Sequence, residues 1–206
     1  MRIIVDTDKN DWNRVKSAAL TTIHKTSFKS GITSKWKEAM ILGRHSPIRE
    51  FRILVNIDDI PRWIADQLVR HTVGVNNYMG TMRPDRGNVP RAEQTMETLT
   101  SFRQSYNIDS FLTMCHSRLC VGVVSRETRE LVEEIVEILA LNEPEIAKYC
   151  VPPCIYMGGC KEAPLLELMR KPKCNFYKNF VEGNAYSMNL SSRYCVYGNK
   201  QLDTIA

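Results

Sequence analysis

The chain has no apolar run approaching the roughly 18 residues that a membrane-spanning helix needs. Met1–Asp6 is too short and too soon acidic for a signal peptide, so a cytoplasmic protein is expected. The sequence also lacks a G-x-S-x-G elbow, a Walker loop, an H-E-x-x-H helix and a dinucleotide-binding glycine fingerprint, which argues against the reactions built on them. Histidine is scarce, with four residues (His24, His45, His71 and His116) and no metal-ligand spacing among them. Seven cysteines, an odd number, speak against a disulfide framework and for reduced thiols. Cys150, Cys154 and Cys160 are closely spaced but lack an obvious fourth ligand, and Pro152-Pro153 suits a turn better than a zinc knuckle, so no metal is assigned.

What is present is an ordinary globular composition. Of 206 residues, 43% are hydrophobic and 25% charged, enough for one substantial core and short for two independent ones. The expected organisation is a single domain over residues 1–165 and a C-terminal extension over 166–206, docked or partly disordered, since Asn175–Ala206 is aromatic and polar with little periodicity. Charge is uneven around the net +5: Arg44, Arg49, Arg52, Arg62, Arg70, Arg83, Arg86, Arg91, Arg103 and Arg118 come early, and Glu127, Glu130, Glu133, Glu134 and Glu137 follow. The basic part suits a phosphate-bearing partner, with a solvated basic surface as the alternative.

Periodicity predicts an α/β or α+β layer arrangement. Arg2–Val5 reads as a strand and Asp11–Ile23 as a helix with Trp12, Val15, Ala19 and Ile23 at helical spacing. Ser34 is placed to cap a second helix, which Gly43 ends. Phe51, Ile53, Val55 and Ile57 alternate with Arg52, Leu54 and Asn56, marking a half-buried strand that Asp58 and Asp59 end. Pro61 opens a helix to His71, with Ile60, Ile64, Leu68 and His71 on one stripe and Trp63, Gln67 and Arg70 on another. The following residues read as loop through Pro90, with Pro84–Gly87 a tight turn. Two more helices are expected, one from Ile108 to Leu119 and one capped by Ser125, with Leu131, Ile135, Ile138 and Leu139 inward. A short turn then begins at Pro144, and Cys150–Cys160 reads as a structured loop.

The chemistry concentrates between Gln67 and Gly87. Gln67 and Arg70 lie three apart on one helical face and can address one ligand, the guanidinium as a planar fork and the amide as donor and acceptor together. Gly80 and Thr81 can add backbone N–H groups to a phosphate. On spacing alone, a helix end carrying ordinary surface residues explains the same pattern.

Four segments in order resemble the flavin-dependent thymidylate synthases. These are His45-Ser46-Pro47-Ile48; Gln67-Leu68-Val69-Arg70-His71; Asn107 with Ser117-Arg118-Leu119-Cys120 and Arg129-Glu130-Leu131; and Pro153-Cys154-Ile155-Tyr156-Met157-Gly158-Gly159-Cys160-Lys161-Glu162. The resemblance implies a central, mostly antiparallel sheet with flanking helices, and a homotetramer with its sites where subunits meet. It implies FAD as cofactor, NADPH and methylenetetrahydrofolate as co-substrates, and methylation of dUMP at C5. Membrane and nucleic-acid partners are not expected. Carried over by position, Gln67, Arg70, Gly80, Thr81, Arg83, Arg86 and Arg118 would bind substrate, with Arg118 and Arg70 catalytic. His45, Arg70, His71, Thr72, Asn76, Asn107 and Thr113 would bind FAD. The chain departs from the family's Arg-His-Arg, seven residues, then Ser: here Arg70-His71-Thr72 is followed by seven residues and Gly80. The family's next Gly-Arg-Tyr is Thr81-Met82-Arg83, moving the phosphate arginine to Arg83 or Arg86. The altered loop keeps two alternatives open: one-carbon transfer such as hydroxymethylation of dUMP or dCMP, and a non-catalytic nucleotide- or nucleic-acid-binding descendant.

Overall fold

The computed structural model describes residues 1–27, 31–83, 85–86, 90–157 and 162–168. The expected extension beyond Leu168, Cys160, and Pro84 and Gly87 of the expected turn lie outside them. The chain forms two compact units, Met1–Phe111 and Leu112–Ala206.

The first unit holds a four-stranded antiparallel sheet in the order β1-β2-β4-β3, with β1 Arg2–Thr7, β2 Arg52–Pro61, β3 Val75–Met79 and β4 Leu99–Asn107. The alternation read in β2 holds: Ile53, Val55 and Ile57 are buried, as are Phe102, Gln104 and Tyr106 of β4. The other face carries Asn56, Asp58, Tyr78 and Arg103 toward solvent. Asp58 and Asp59 do not end β2. The ladder shifts register between Ile57 and Ile60, Asp59 takes a φ of 59°, and the strand resumes to pair Pro61 with Leu99. Such a bulge tolerates two acids while returning the apolar Ile60 to the buried face.

Two strands lie where a loop or nothing regular was expected. Asn76, Asn77 and Tyr78 include poor strand formers, yet β3 pairs with β4 from Val75↔Tyr106 to Met79↔Phe102. Cross-strand pairing, rather than intrinsic preference, makes β3 a strand.

Among the described residues, α-helices α1 Asp11–Thr22, α2 Ser34–Leu42 and α3 Arg62–Leu68 accompany the sheet in this unit. Thr33, not Ser34, caps α2, its side chain accepting from Trp36 N at 3.2 Å. The earlier threonine has the extended backbone that a cap requires. The third helix stops short of the expected His71, because His71 N bonds to Leu68 O at 3.1 Å and tightens the last turn, leaving Arg70 and His71 beyond the helix. Trp12 of α1 packs on Phe51 at a ring distance of 5.0 Å and meets Trp36 of α2 at 6.3 Å. At the head of α1, the buried Asp11 accepts from Asp8 N at 3.2 Å and Arg52 N at 3.1 Å, tying that helix to the start of β2.

The unit boundary falls inside α4 (Ile108–Arg118), and the second unit continues with α5 Arg126–Ala140, α6 Pro144–Ala147, α7 Pro153–Met157 and α8 Ala163–Leu168. Ser125 caps α5 as expected, and the helix buries Leu131, Val132, Ile135, Val136 and Leu139 while Ile138 is half-buried. The stretch read as a structured loop from Cys150 contains the short α7, whose Tyr156 ring lies 4.3 Å from the buried His116. No described helix is long and apolar enough to cross a membrane.

Candidate functional site

At the first turn of α4, segments far apart in the chain are drawn together. Asn107, the residue before the helix, and Ser110 form a reciprocal cap: Ser110 N donates to Asn107 Oδ1 at 2.8 Å, and Asn107 N donates to Ser110 Oγ at 3.0 Å. The pair satisfies donors that a helix start leaves without partners. Ser110 Oγ also lies 3.0 Å from the carbonyl oxygen of Gly74 and donates to it. Gly74 has a φ of 71°, and a Cβ there would come within 2.7 Å of Asn107 Nδ2. Both the backbone and the close approach require glycine.

The same helix turn receives the segment around His45. Arg44, itself at a φ of 46°, donates from Nε to Asp109 Oδ1 and from Nη2 to Asp109 O, both at 2.7 Å. Arg49 Nη2 lies 3.4 Å from Asp109 Oδ2. His45 is exposed between the two arginines in sequence, and its ring folds back so that a Cβ on Gly43 would fall 2.6 Å from Nε2.

The turn after α3 presents Gln67 and His71 half-buried and Arg70 and Thr72 exposed. Its main chain is held from beneath. Gln104 donates to Leu68 O at 3.2 Å, and Asn77 donates to His71 O at 3.0 Å. Arg70 makes no ion pair among the described residues, which leaves its guanidinium available to an anion.

The residues predicted for a site therefore separate into three groups, with Asn76 apart from them. Gln67, Arg70, His71, Thr72, His45 and Asn107 belong to the segments gathered around Leu68–Gly74 and the start of α4. Asn76 faces solvent opposite Ser105. Gly80, Thr81, Arg83 and Arg86 lie at the far end of β3, since four residues of extended chain span about 13 Å. There Gly80 borders a cleft of about 270 Å³ that Asn56, Asp58, Tyr78 and Arg103 also line. A side chain on Gly80 would run into Thr100 Oγ1. Arg83 donates to both oxygens of Asp85, from Nε at 3.0 Å and Nη2 at 2.9 Å, and Arg86 Nε lies 3.9 Å from the same carboxylate. The two arginines expected at a phosphate are thus engaged with an acid. Thr113 and Arg118 belong to the second unit, Thr113 exposed and Arg118 half-buried at the end of α4.

Sequence reading missed Arg44, Asp109, Ser110, Gln104 and Asn77. The Asn107-x-x-Ser110 spacing carries the signal of a helix cap, but Arg44 and Asp109 are 65 residues apart and no local pattern joins them. Among the described residues, no group of histidine, cysteine and acidic side chains is arranged to hold a metal ion.

No protein-family model and no curated protein matches the sequence. Among solved structures, the chain is similar to a flavin-dependent thymidylate synthase from Helicobacter pylori complexed with FAD and dUMP, at a TM-score of 0.60 and 14% identity, over 73% of this chain and 100% of that one. A second structure, thymidylate synthase X of the same organism with FAD and dUMP, gives 0.58 and 13%, over 73% and 99%. The α/β arrangement of this chain, an antiparallel four-stranded sheet with flanking helices, is accordingly similar to the fold of the flavin-dependent thymidylate synthases.

Proposed function

We propose that the chain is a flavin-dependent enzyme that methylates dUMP at C5, with methylenetetrahydrofolate as carbon donor, NADPH as reductant and sites completed in a cytoplasmic homotetramer. The observation that carries the reading is the gathering of the His45 segment, the Gly74 turn and Asn107 at one helix start, in a fold similar to enzymes solved with FAD and dUMP. The side chains present suit an anionic ligand with a flat ring. Arg70 is exposed and unpaired among the described residues, His71 is half-buried beside it, and the His71 carbonyl accepts from Asn77.

In this reading Gln67 and Arg70 hold the nucleotide, Arg70, His71, Thr72, Asn76 and Thr113 with His45 and Asn107 line the FAD site, and Arg118 orients the pyrimidine ring. FAD, when bound, supplies the hydride chemistry. The guanidinium groups of Arg70 and Arg118 would act by placing positive charge beside the pyrimidine, where negative charge develops as the methyl group is formed. Asn107 contributes its Nδ2 end, because its oxygen already caps α4.

A second reading changes the transferred group and the base: hydroxymethylation of dUMP or dCMP, in which water takes the place of the hydride and no NADPH is consumed. It is favoured by Gly80 and by the engagement of Arg83 and Arg86 with Asp85, which alter the loop expected to read the nucleotide. The deciding experiment is an absorbance spectrum of the purified protein, followed by incubation with NADPH, methylenetetrahydrofolate and either dUMP or dCMP. A yellow protein that yields dTMP by mass spectrometry is the expected result, and a hydroxymethylated product selects the second reading. A colourless protein that also fails to bind added FAD overturns both, leaving a nucleotide-binding descendant.

A further inference from the structure

The inner face of β4 should be apolar, and between Phe102 and Tyr106 it carries Gln104, 1% exposed. Every polar group of that side chain is used. Gln104 Nε2 donates to Leu68 O at 3.2 Å and to Asn77 Oδ1 at 2.5 Å, and Tyr106 OH donates to Gln104 Oε1. Asn77, the cross-strand partner of Gln104, passes the chain on by donating from Nδ2 to His71 O at 3.0 Å. The orientation of the Gln104 amide is fixed by chemistry: reversed, its oxygen would face two acceptors. Tyr106 is in turn held edge-on against Phe111 at 5.4 Å.

A buried amide adds nothing to packing that leucine would not, and it carries the cost of desolvation unless fully bonded. Here its bonds end on two carbonyls, Leu68 and His71, which bracket Val69 and Arg70. We infer that Gln104 and Asn77 are positioning residues that fix the Leu68–His71 turn and so aim Arg70 and His71 at the ligand. As a statement about ligand binding, this rests on the proposed function; as a statement about the turn, it does not.

The test uses the full chain carrying Gln104→Leu or Asn77→Ala. Limited trypsin digestion, read by mass spectrometry, reports cleavage after Arg70 against two internal references, Arg62 at the head of α3 and Arg52 at the start of β2. Loss of one hydrogen bond to the turn raises local opening, so cleavage after Arg70 is expected to rise about tenfold in each variant, ahead of both references. In the same proteins the dUMP dissociation constant, measured by calorimetry in the presence of FAD, is expected to rise by a similar factor. General loosening would raise all three cleavages together, and that result, or an unchanged rate after Arg70, overturns the inference. Asn77 is half-buried, so Asn77→Ala keeps the test open where Gln104→Leu does not fold. Faster cleavage with unchanged dUMP affinity removes the ligand-positioning role. If the unaltered protein binds neither FAD nor dUMP, the proposed function and that role fall together, while trypsin still decides whether the clamp exists.

Discussion

Replacing Asp11 with alanine removes one acceptor from two backbone donors at once. The carboxylate is buried, its Oδ2 accepting from Asp8 N at 3.2 Å and Arg52 N at 3.1 Å, with Arg14 pairing to the other oxygen. A buried donor left without a partner costs about 1–3 kcal/mol, so two give roughly 2–6 kcal/mol. Both hydrogen bonds are only partly buried, which places the expectation toward the low end, about 2 kcal/mol. Loss of the Arg14 pair adds little, because that side chain is 45% exposed. Asp11→Asn keeps an oxygen for both donors and is expected to cost about 1 kcal/mol. Urea denaturation followed by tryptophan fluorescence reads both variants, since Trp12 sits next to the site of change. A loss for Asp11→Ala below about 1 kcal/mol, or equal losses for the two variants, refutes the claim that the carboxylate serves the backbone rather than the salt bridge.

Three further outcomes are expected. The backbone N–H of Asn10 and then Arg14 hold the exposed Asp8 carboxyl below its ordinary value of 3.8, so its contribution to stability is present above that pH and is lost as pH falls through the lowered value. Asp8→Asn should therefore lower the melting temperature at neutral pH and match the unaltered protein in strong acid; a gap that does not shrink on acidification speaks against the assignment. Gly80→Ser should destabilise the chain by about 1 kcal/mol by crowding Thr100 Oγ1, and Thr100→Ala in the same chain should recover most of it, whereas additive losses in the cycle would mean no contact. Asp85→Ala should change stability by less than about 1 kcal/mol, its partners being exposed, and should tighten dUMP binding if Arg83 and Arg86 hold the phosphate; weaker binding would show that Asp85 organises the loop.

How far the fold was readable follows from where its determinants lie. The β2 alternation, the Trp12 and Val15 part of the α1 stripe and the Ser125 cap are local signals and hold, whereas Ile23, read onto that stripe, follows the helix and is exposed, with Leu20 buried instead. The strands β3 and β4 were not readable, because Gln104 interrupts the apolar side of one and Asn76-Asn77 weaken the other; they become strands only through each other. For the candidate site, the Gln67–His71 segment stood out by residue type, and the structure keeps its arginine exposed. The contacts that hold it come from Gln104 and Asn77, and those of the His45 segment come from Asp109, all across gaps that no periodicity spans.

The central place of β4 has a consequence for the order of events as the chain folds. Its partner β2 lies some forty residues earlier, a pairing that closes a long loop and is slow relative to helix formation. The helices α1 to α3 form from local residues, but the clamp on Leu68–His71 and the cap at Asn107 both depend on β4. A nascent chain that has not yet emerged past Ser110 thus carries Gln67, Arg70 and His71 on a turn whose clamp and neighbouring cap have still to form.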